Sequence, residues 1–248
     1  MELMEYQRMY DLEEHHWWFQ GRFDLMRRMV LKYCPQVGNA RPRLLDMGCG
    51  TGLFAREQAA SKTTVALDFS WEALRFARSR GVSNLICADS QELPFESNSF
   101  DIVTAFDLIE HVQGDRQLVC EAHRVLRPGG IALIAVPAHP FLLGSHDDAL
   151  HHIRRYTWKN FEGLFDPAIW KKRRMTWTFA SVYPPALIVR TLRKTLPERQ
   201  NPTADTNLTP AWMNRTLLAW HRLENSWVET RNLPFGLSML TVREKVAR

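Results

Sequence analysis

The chain's four cysteines, Cys34, Cys49, Cys87 and Cys120, are scattered over 248 residues without a Cys-x-x-Cys pair. That spacing argues for reduced packing residues rather than a disulfide framework. No uninterrupted apolar run reaches the length needed to span a bilayer. The first residues, Met1-Glu2-Leu3-Met4-Glu5, are acidic and lack a basic segment leading into an apolar one, so no secretory signal is visible and a cytoplasmic location is expected. Repeats and low-complexity tracts are missing. So are G-x-G-x-x-G and G-x-x-x-x-G-K-[ST], which counts against a nicotinamide cofactor and against ATP. There is no Asn/Asp-Pro-Pro-Tyr motif, no appended RNA-binding module and no Lys/Arg stripe interleaved with aromatics, so nucleic acid is not an expected partner. A net charge of +5 would help hold an anionic acceptor or meet a membrane surface, with solvated surface charge as the default reading. The length suits one α/β domain with additions.

What is present is concentrated in Leu44-Leu45-Asp46-Met47-Gly48-Cys49-Gly50-Thr51-Gly52. It reads as a buried strand ending in an acid, then a glycine loop opening a helix. Glycines at such a turn permit positive φ and let a ligand reach the backbone. The following helix aims its unpaired N–H groups and positive dipole end at the loop. Two more short strands end in carboxylates. Val65-Ala66-Leu67-Asp68 is placed to take both ribose hydroxyls of a nucleoside, and Ile86-Cys87-Ala88-Asp89-Ser90 to meet an adenine amino group.

From Arg43 to Pro137 short apolar strands alternate with amphipathic helical stretches, the pattern of a parallel sheet covered on both faces. Strands are expected near 43–47, 64–68, 84–88, 100–106 and 131–137, and helices near 53–60, 70–80 and 115–126. The turn Arg127-Pro128-Gly129-Gly130 should close the last helix. Gly48, Asp68, Asp89 and Phe106 fall at carboxyl ends of strands, where such sheets bind ligands. Met175 to Val182 and Leu237 to Val242 read as further strands. Between them lies a mainly helical insertion at about 184–234, with a polar loop from Glu198 to Thr209 and a Trp-bearing helix near 212–230.

The series LLDMGCGTG, VALDFS, ADSQELPF, SFDIVTAFDLIEHV and VLRPGGIALIAVP resembles, in order and spacing, the class I S-adenosylmethionine (SAM) dependent methyltransferases. The resemblance implies a Rossmann-like seven-stranded sheet, mostly parallel with an antiparallel last strand, whose final hairpin is formed by the two late strands. It implies SAM as cofactor and S-adenosylhomocysteine as product. Asp46, Gly48, Cys49, Gly50, Gly52, Asp68, Phe69, Asp89, Ser90 and Phe106 would then form the cofactor site. The segment His16-Trp17-Trp18-Phe19-Gln20-Gly21-Arg22 resembles an H-W-W-F-x-x-R stretch that precedes the SAM domain in some bacterial methyltransferases. There the N-terminal helices, here about 1–40 ahead of a domain at 41–248, cap the cofactor. By that resemblance Trp18 or Phe19 closes over the sulfonium and Arg22 pairs with the methionyl carboxylate. The alternative is that the Trp pair only packs its helix onto the sheet.

Methyl transfer is an in-line displacement, so a base is needed only when the nucleophile must lose a proton. His111 and His146 are the candidate bases. The stretch from His146 to Tyr156 resembles an H-D-x-x-x-G-H-x-R-R-Y segment, with His151 at the glycine position. It offers His152, Arg154, Arg155 and Tyr156 to an anionic acceptor group. The competing reading is a surface loop pinned by Asp–Arg pairs with Tyr156 packed beneath it. Asp107, Glu110 and His111 resemble the E-x-x-E-H metal motif of quinone-pathway O-methyltransferases, but the same Glu-His pair serves family members without metal, and no metal is expected here.

The expected function is methylation of an oxygen or nitrogen, ahead of carbon, on a small or lipid-linked acceptor. Alternatives are transfer or cyclisation of another part of SAM, RNA or protein methylation, and a non-enzymatic scaffold, which the intact Asp46, Asp68 and Asp89 oppose. Leu187, Ile188, Val189, Leu192 and Leu196 beside Arg190, Arg193 and Lys194 form a basic amphipathic stretch. It could meet a membrane surface or a second subunit, or be buried against the sheet.

Overall fold

A computed structural model describes residues 3–36, 38, 40–193 and 209–247. Its strands are β1 (Arg43–Met47), β2 (Thr63–Asp68), β3 (Leu85–Cys87), β4 (Phe100–Phe106), β5 (Leu126–Pro137), β6 (Trp170–Thr178) and β7 (Ser238–Lys245). They form one sheet in the order β3-β2-β1-β4-β5-β7-β6. Strand β7 alone runs antiparallel, pairing with β5 on one side and β6 on the other. Leu44, Leu45 and Met47 of β1 are fully buried, as a central strand covered on both faces requires.

The helices follow from local chemistry. Gly52, at φ +84°, turns the chain out of β1's loop into α3 (Leu53–Ala59). Ser70 caps α4 (Trp71–Ser79), its Oγ accepting from the Ala73 N–H at 3.3 Å. Leu118, Val119, Ala122 and Val125 of α5 (Asp115–Val125) join the core on one face of the sheet. On the other face Leu25, Met26, Met29 and Val30 of α2 (Trp17–Tyr33) pack with Val228 of α9 (Ala211–Thr230). Helix α1 (Leu3–Glu13) lies beside α4, and α8 (Tyr183–Arg193) follows β6. Two short helices, α6 (Ser145–Ala149) and α7 (Trp158–Glu162), bracket the loop after β5.

Three expectations change. Arg127–Gly130 does not close α5, which ends at Val125; β5 begins at once, and those residues bulge between the pairs Phe100↔Leu126 and Ile102↔Ile131. Strand β6 starts at Trp170, five residues before Met175. Its Lys171-Lys172-Arg173-Arg174 run hid the strand signal, because an edge strand carries charge where it meets solvent. The same strand stops at Thr178, since Phe179 turns left-handed at φ +60°. Cys120 is exposed rather than packed. The expected loop at Glu198 to Thr209 lies outside the described residues up to 208. Among the described residues no helix is long and apolar enough to cross a membrane.

Candidate active site

At the carboxyl end of β1 the Asp46 carboxylate is 4 % exposed and accepts a hydrogen bond from the Thr104 hydroxyl at 2.7 Å. Burial pushes its pKa up to about 7. The loop beyond carries Gly48 at φ +69° and Gly50 at φ +53°. A Cβ on Gly48 would come within 2.7 Å of Leu108, and one on Gly50 would reach Met9 Cε at 3.2 Å. The backbone here is therefore a cradle that a side chain would fill. Asp68 ends β2 and accepts from the Gly50 N–H and the Ser70 N–H, each at 2.9 Å. Burial raises its pKa while those two donors lower it. Its remaining lone pairs are available to a diol. Asp89 accepts from the Gln91 N–H at 2.8 Å in the turn after β3, with Ser90 buried beside it.

These residues open into a cavity of about 1340 Å³. Asp46, Gly48, Cys49, Gly50, Asp68 and Phe69 line it, with Asp89, Ser90 and Phe106 farther along the strand ends. Gly52 does not line it. A Cβ there would lie 2.6 Å from Ala77 Cβ, so this glycine serves the packing of α3 against α4.

The chain's first helices roof the cavity, and all three adjacent aromatics, Trp17, Trp18 and Phe19, reach it. Trp18 packs on Phe179 at 5.0 Å, and Trp17 meets His221 of α9 edge-on at the same distance. Gly21 permits this docking, since a Cβ on it would lie 2.6 Å from His221 Nδ1. Arg22 lies over the Trp18 ring at 5.3 Å and pairs with Asp107 at the end of β4. Desolvation lowers the Arg22 pKa to about 10. Helix α1 is tied to the loop through Glu13, which accepts from the Thr51 hydroxyl and pairs with Arg80 at 3.1 Å. Burial lifts Glu13 to about 7.

On the opposite wall His111 lines the cavity, and its Nδ1 lies 3.2 Å from the His151 carbonyl. A carbonyl only accepts, so Nδ1 carries the proton and Nε2 keeps its lone pair. Desolvation, helped by the neighbouring His152, pushes the His111 pKa down to about 4. His152 donates its Nδ1–H to Asp147 at 2.9 Å and also lines the cavity. Asp147, fully buried, accepts from Arg155 Nε at 2.8 Å. The turn forms despite the lost glycine, because His151 itself adopts φ +57°.

Two of the residues offered to the acceptor are placed elsewhere. Arg154 pairs with Asp115 at 2.8 Å, and the Tyr156 hydroxyl donates to the same carboxylate at 3.0 Å, both away from the cavity. For them the pinned-loop arrangement is the one observed. The side chain of His146, in α6, lies outside the described residues. In the basic stretch of α8, Leu187 is half-buried while Ile188 and Val189 are exposed; the side chains of Arg190, Leu192 and Arg193, and residues Lys194 and Leu196, lie outside the described residues.

Glu110, His111 and His152 bring one donor atom each within 4.8 Å of one another, with Asp107 held by Arg22 instead. Glu110 is fully buried, neither carboxylate oxygen has a hydrogen-bond partner, and burial raises its pKa to about 8. The positive charges of Arg22 and Arg155 oppose that rise. Glu13, Arg80 and His221 escaped the sequence reading because each acts across a long chain separation and within no local motif.

Comparison with known proteins agrees with this geometry. Residues 45–134 match a family model described as a methyltransferase domain. The chain is 37% identical over 122 residues to demethylmenaquinone methyltransferase of Renibacterium salmoninarum, covering 48% of this chain and 51% of that one. It is 27% identical over 128 residues to ubiquinone biosynthesis O-methyltransferase of Pseudomonas aeruginosa, covering 47% and 55%. The chain thus spans about half the length of these curated relatives. In fold it is similar to a methyltransferase of Haloferax volcanii solved with the Trm112 methyltransferase activator, with a TM-score of 0.61, 19% identity and coverage of 99% and 96%. The sheet order and the glycine cradle agree with the matched segment, so the chain carries a methyltransferase domain over residues 45–134 on the fold of the class I SAM-dependent methyltransferases.

Proposed function

We infer that the protein moves the methyl group of SAM to an oxygen or nitrogen, ahead of carbon, of a small or lipid-linked acceptor. The observation that carries this reading is the size and make-up of the cavity. Its volume of about 1340 Å³ exceeds the roughly 300–1,000 Å³ of a single small-ligand pocket. One half holds the glycine cradle and its acids. The other, bounded by α2, α8 and α9, is lined by Phe19, Met26, Val182, Ala186 and Leu217, which suits an apolar acceptor. By their names, one of the two relatives methylates demethylmenaquinone and the other is an O-methyltransferase of ubiquinone biosynthesis, which is compatible with that class.

When bound, SAM supplies a methyl group activated by the sulfonium. Gly48 and Gly50 would receive its methionyl part, Asp68 the ribose, and Asp89 with Ser90 the adenine. The roof formed by α1 and α2 would exclude water and leave Trp18 and Arg22 over the site. His111 Nε2 would take the proton that an acceptor hydroxyl loses as the new bond forms, or that an amine nitrogen loses once it has been methylated. No metal is required in this scheme, because His111 rather than a bound ion handles the proton. A cytoplasmic location fits these roles.

The test is to incubate the protein with methyl-labelled SAM and fractionated extract. Label in a small-molecule or lipid fraction is expected; label only in RNA or protein would replace the acceptor class. With the acceptor in hand, His111→Ala should lower kcat by about 10²–10⁴-fold with SAM affinity retained. Loss of SAM binding instead would move His111 into the cofactor site.

Asp46 adds a pH signature. Its carboxyl titrates near 7 before SAM binds, and only the ionised form attracts a cationic ligand. SAM affinity should therefore rise as pH increases from 6 to 8, and Asp46→Asn should flatten that rise. A wild-type profile that is level across this interval in calorimetric titration would place Asp46 outside the ligand's reach.

A further inference from the structure

Helix α9 turns an apolar stripe outward. Trp212, Leu223, Trp227 and Trp220 fall within an arc of about 80° at 3.6 residues per turn, and are 69%, 68%, 51% and 59% exposed. Four large side chains in one line on a helix otherwise anchored to the protein is more than scattered surface apolarity. From Trp212 to Trp227 the stripe runs about 22 Å. Exposed Ile188 and Val189 of α8 extend the apolar surface, and Val189 and Trp220 also line the cavity. The stripe therefore borders the mouth of the site.

The charges around it have one sign. Arg215 and Arg222 are exposed along one flank, and the Arg231 guanidinium lies 4.3 Å above the Trp227 ring. The two carboxylates of α9 are turned to the protein. Glu224 accepts from the Ala180 and Ser181 N–H groups, each at 2.9 Å, and Glu229 pairs with Arg28 at 3.1 Å. Tryptophans in a row, flanked by arginines and with no outward carboxylate among the described residues of the helix, match the apolar-to-anionic boundary of a lipid headgroup layer. A second copy across a twofold axis would set the same arginines against one another.

We propose that this face of α9 seats on an anionic lipid bilayer, so that an amphiphilic acceptor passes from the lipid into the cavity past Trp220 and Val189. The acceptor's route rests on the methyl-transfer reading above; the seating does not. The test uses the full chain with vesicles of phosphatidylcholine, alone or mixed with phosphatidylglycerol, in a co-sedimentation assay at low and high salt. The expected result is partition onto the anionic vesicles, a blue shift of tryptophan emission, and release by salt. Trp212→Ser, Leu223→Ser and Trp227→Ser combined should cut partition roughly tenfold or more, as should Arg215→Glu with Arg222→Glu, with the melting temperature preserved. Absence of partition, or equal partition onto neutral vesicles, would overturn the proposal. So would a dimer in sedimentation equilibrium that the triple substitution dissolves, which would assign the face to a second copy. SAM titration of the same proteins reports separately on the methyl-transfer reading.

Discussion

Replacing Gly50 by valine is expected to raise the Kd for SAM by roughly 100-fold or more, equivalent to about 2.7 kcal/mol, while leaving the fold in place. Gly50 sits at φ +53°, a conformation that a β-branched residue adopts only under strain. Its Cβ would point into the space between the loop and Met9 of α1, where the neighbour is the mobile end of a methionine. The protein can accommodate valine by moving that side chain; a ligand lying on the loop has no such freedom. Gly52→Val is the contrasting case. Its Cβ would lie 2.8 Å from Ala77 Cα, which is backbone, so α3 would be pushed off α4 and the melting temperature should fall. Calorimetric titration and thermal melts of the pair separate binding from folding. An unchanged Kd in Gly50→Val would remove the cofactor from this loop.

Asp147→Ala should destabilise the protein by about 3–5 kcal/mol, the cost of leaving a buried charge without its partner. The carboxylate takes Arg155 Nε and Nη2 at 2.8 and 2.7 Å, the His152 ring at 2.9 Å and the Gly144 N–H at 3.1 Å. Arg155 is only 7% exposed, so its charge would remain uncompensated in the wall of the site. Urea denaturation measures the loss. Substituting Arg155→Met in the same chain should restore part of it, because removing both charges costs less than removing one. A loss below about 1 kcal/mol would place the pair in the range of exposed ion pairs and end its role as the clamp of the loop.

What could be read in the sequence was whatever a short window encodes. Strand β1, the glycine cradle and the acid at Asp68 announce themselves because an apolar run, a positive-φ turn and a carboxylate lie within a few residues. The start of β6 did not, since Lys171 to Arg174 look like a solvated segment until the sheet edge is known. Arg127–Gly130 carries every mark of a helix stop, yet the register of β4 and β5 makes it a bulge. The link from Glu13 to Thr51 spans 38 positions, and Arg80 closes on both Glu13 and Glu14; no pattern in the chain pairs those residues before the fold does. The stretch around Arg154 divides between the two readings: Arg154 and Tyr156 are held by Asp115 away from the cavity, while His152 and Arg155 line it.

The place of β7 between β5 and β6 bears on how the chain is made. A polypeptide emerging from the ribosome has β5 and β6 long before Ser238 to Lys245 appear, and β6 has no strand to pair with until they do. Throughout that interval the edge of β5, with Leu133 and Ile134 at its centre, offers unpaired backbone groups to any other strand. The Lys171 to Arg174 run then acts during synthesis as well as in the finished sheet, because its charge discourages β6 from stacking on a neighbouring nascent chain while it waits.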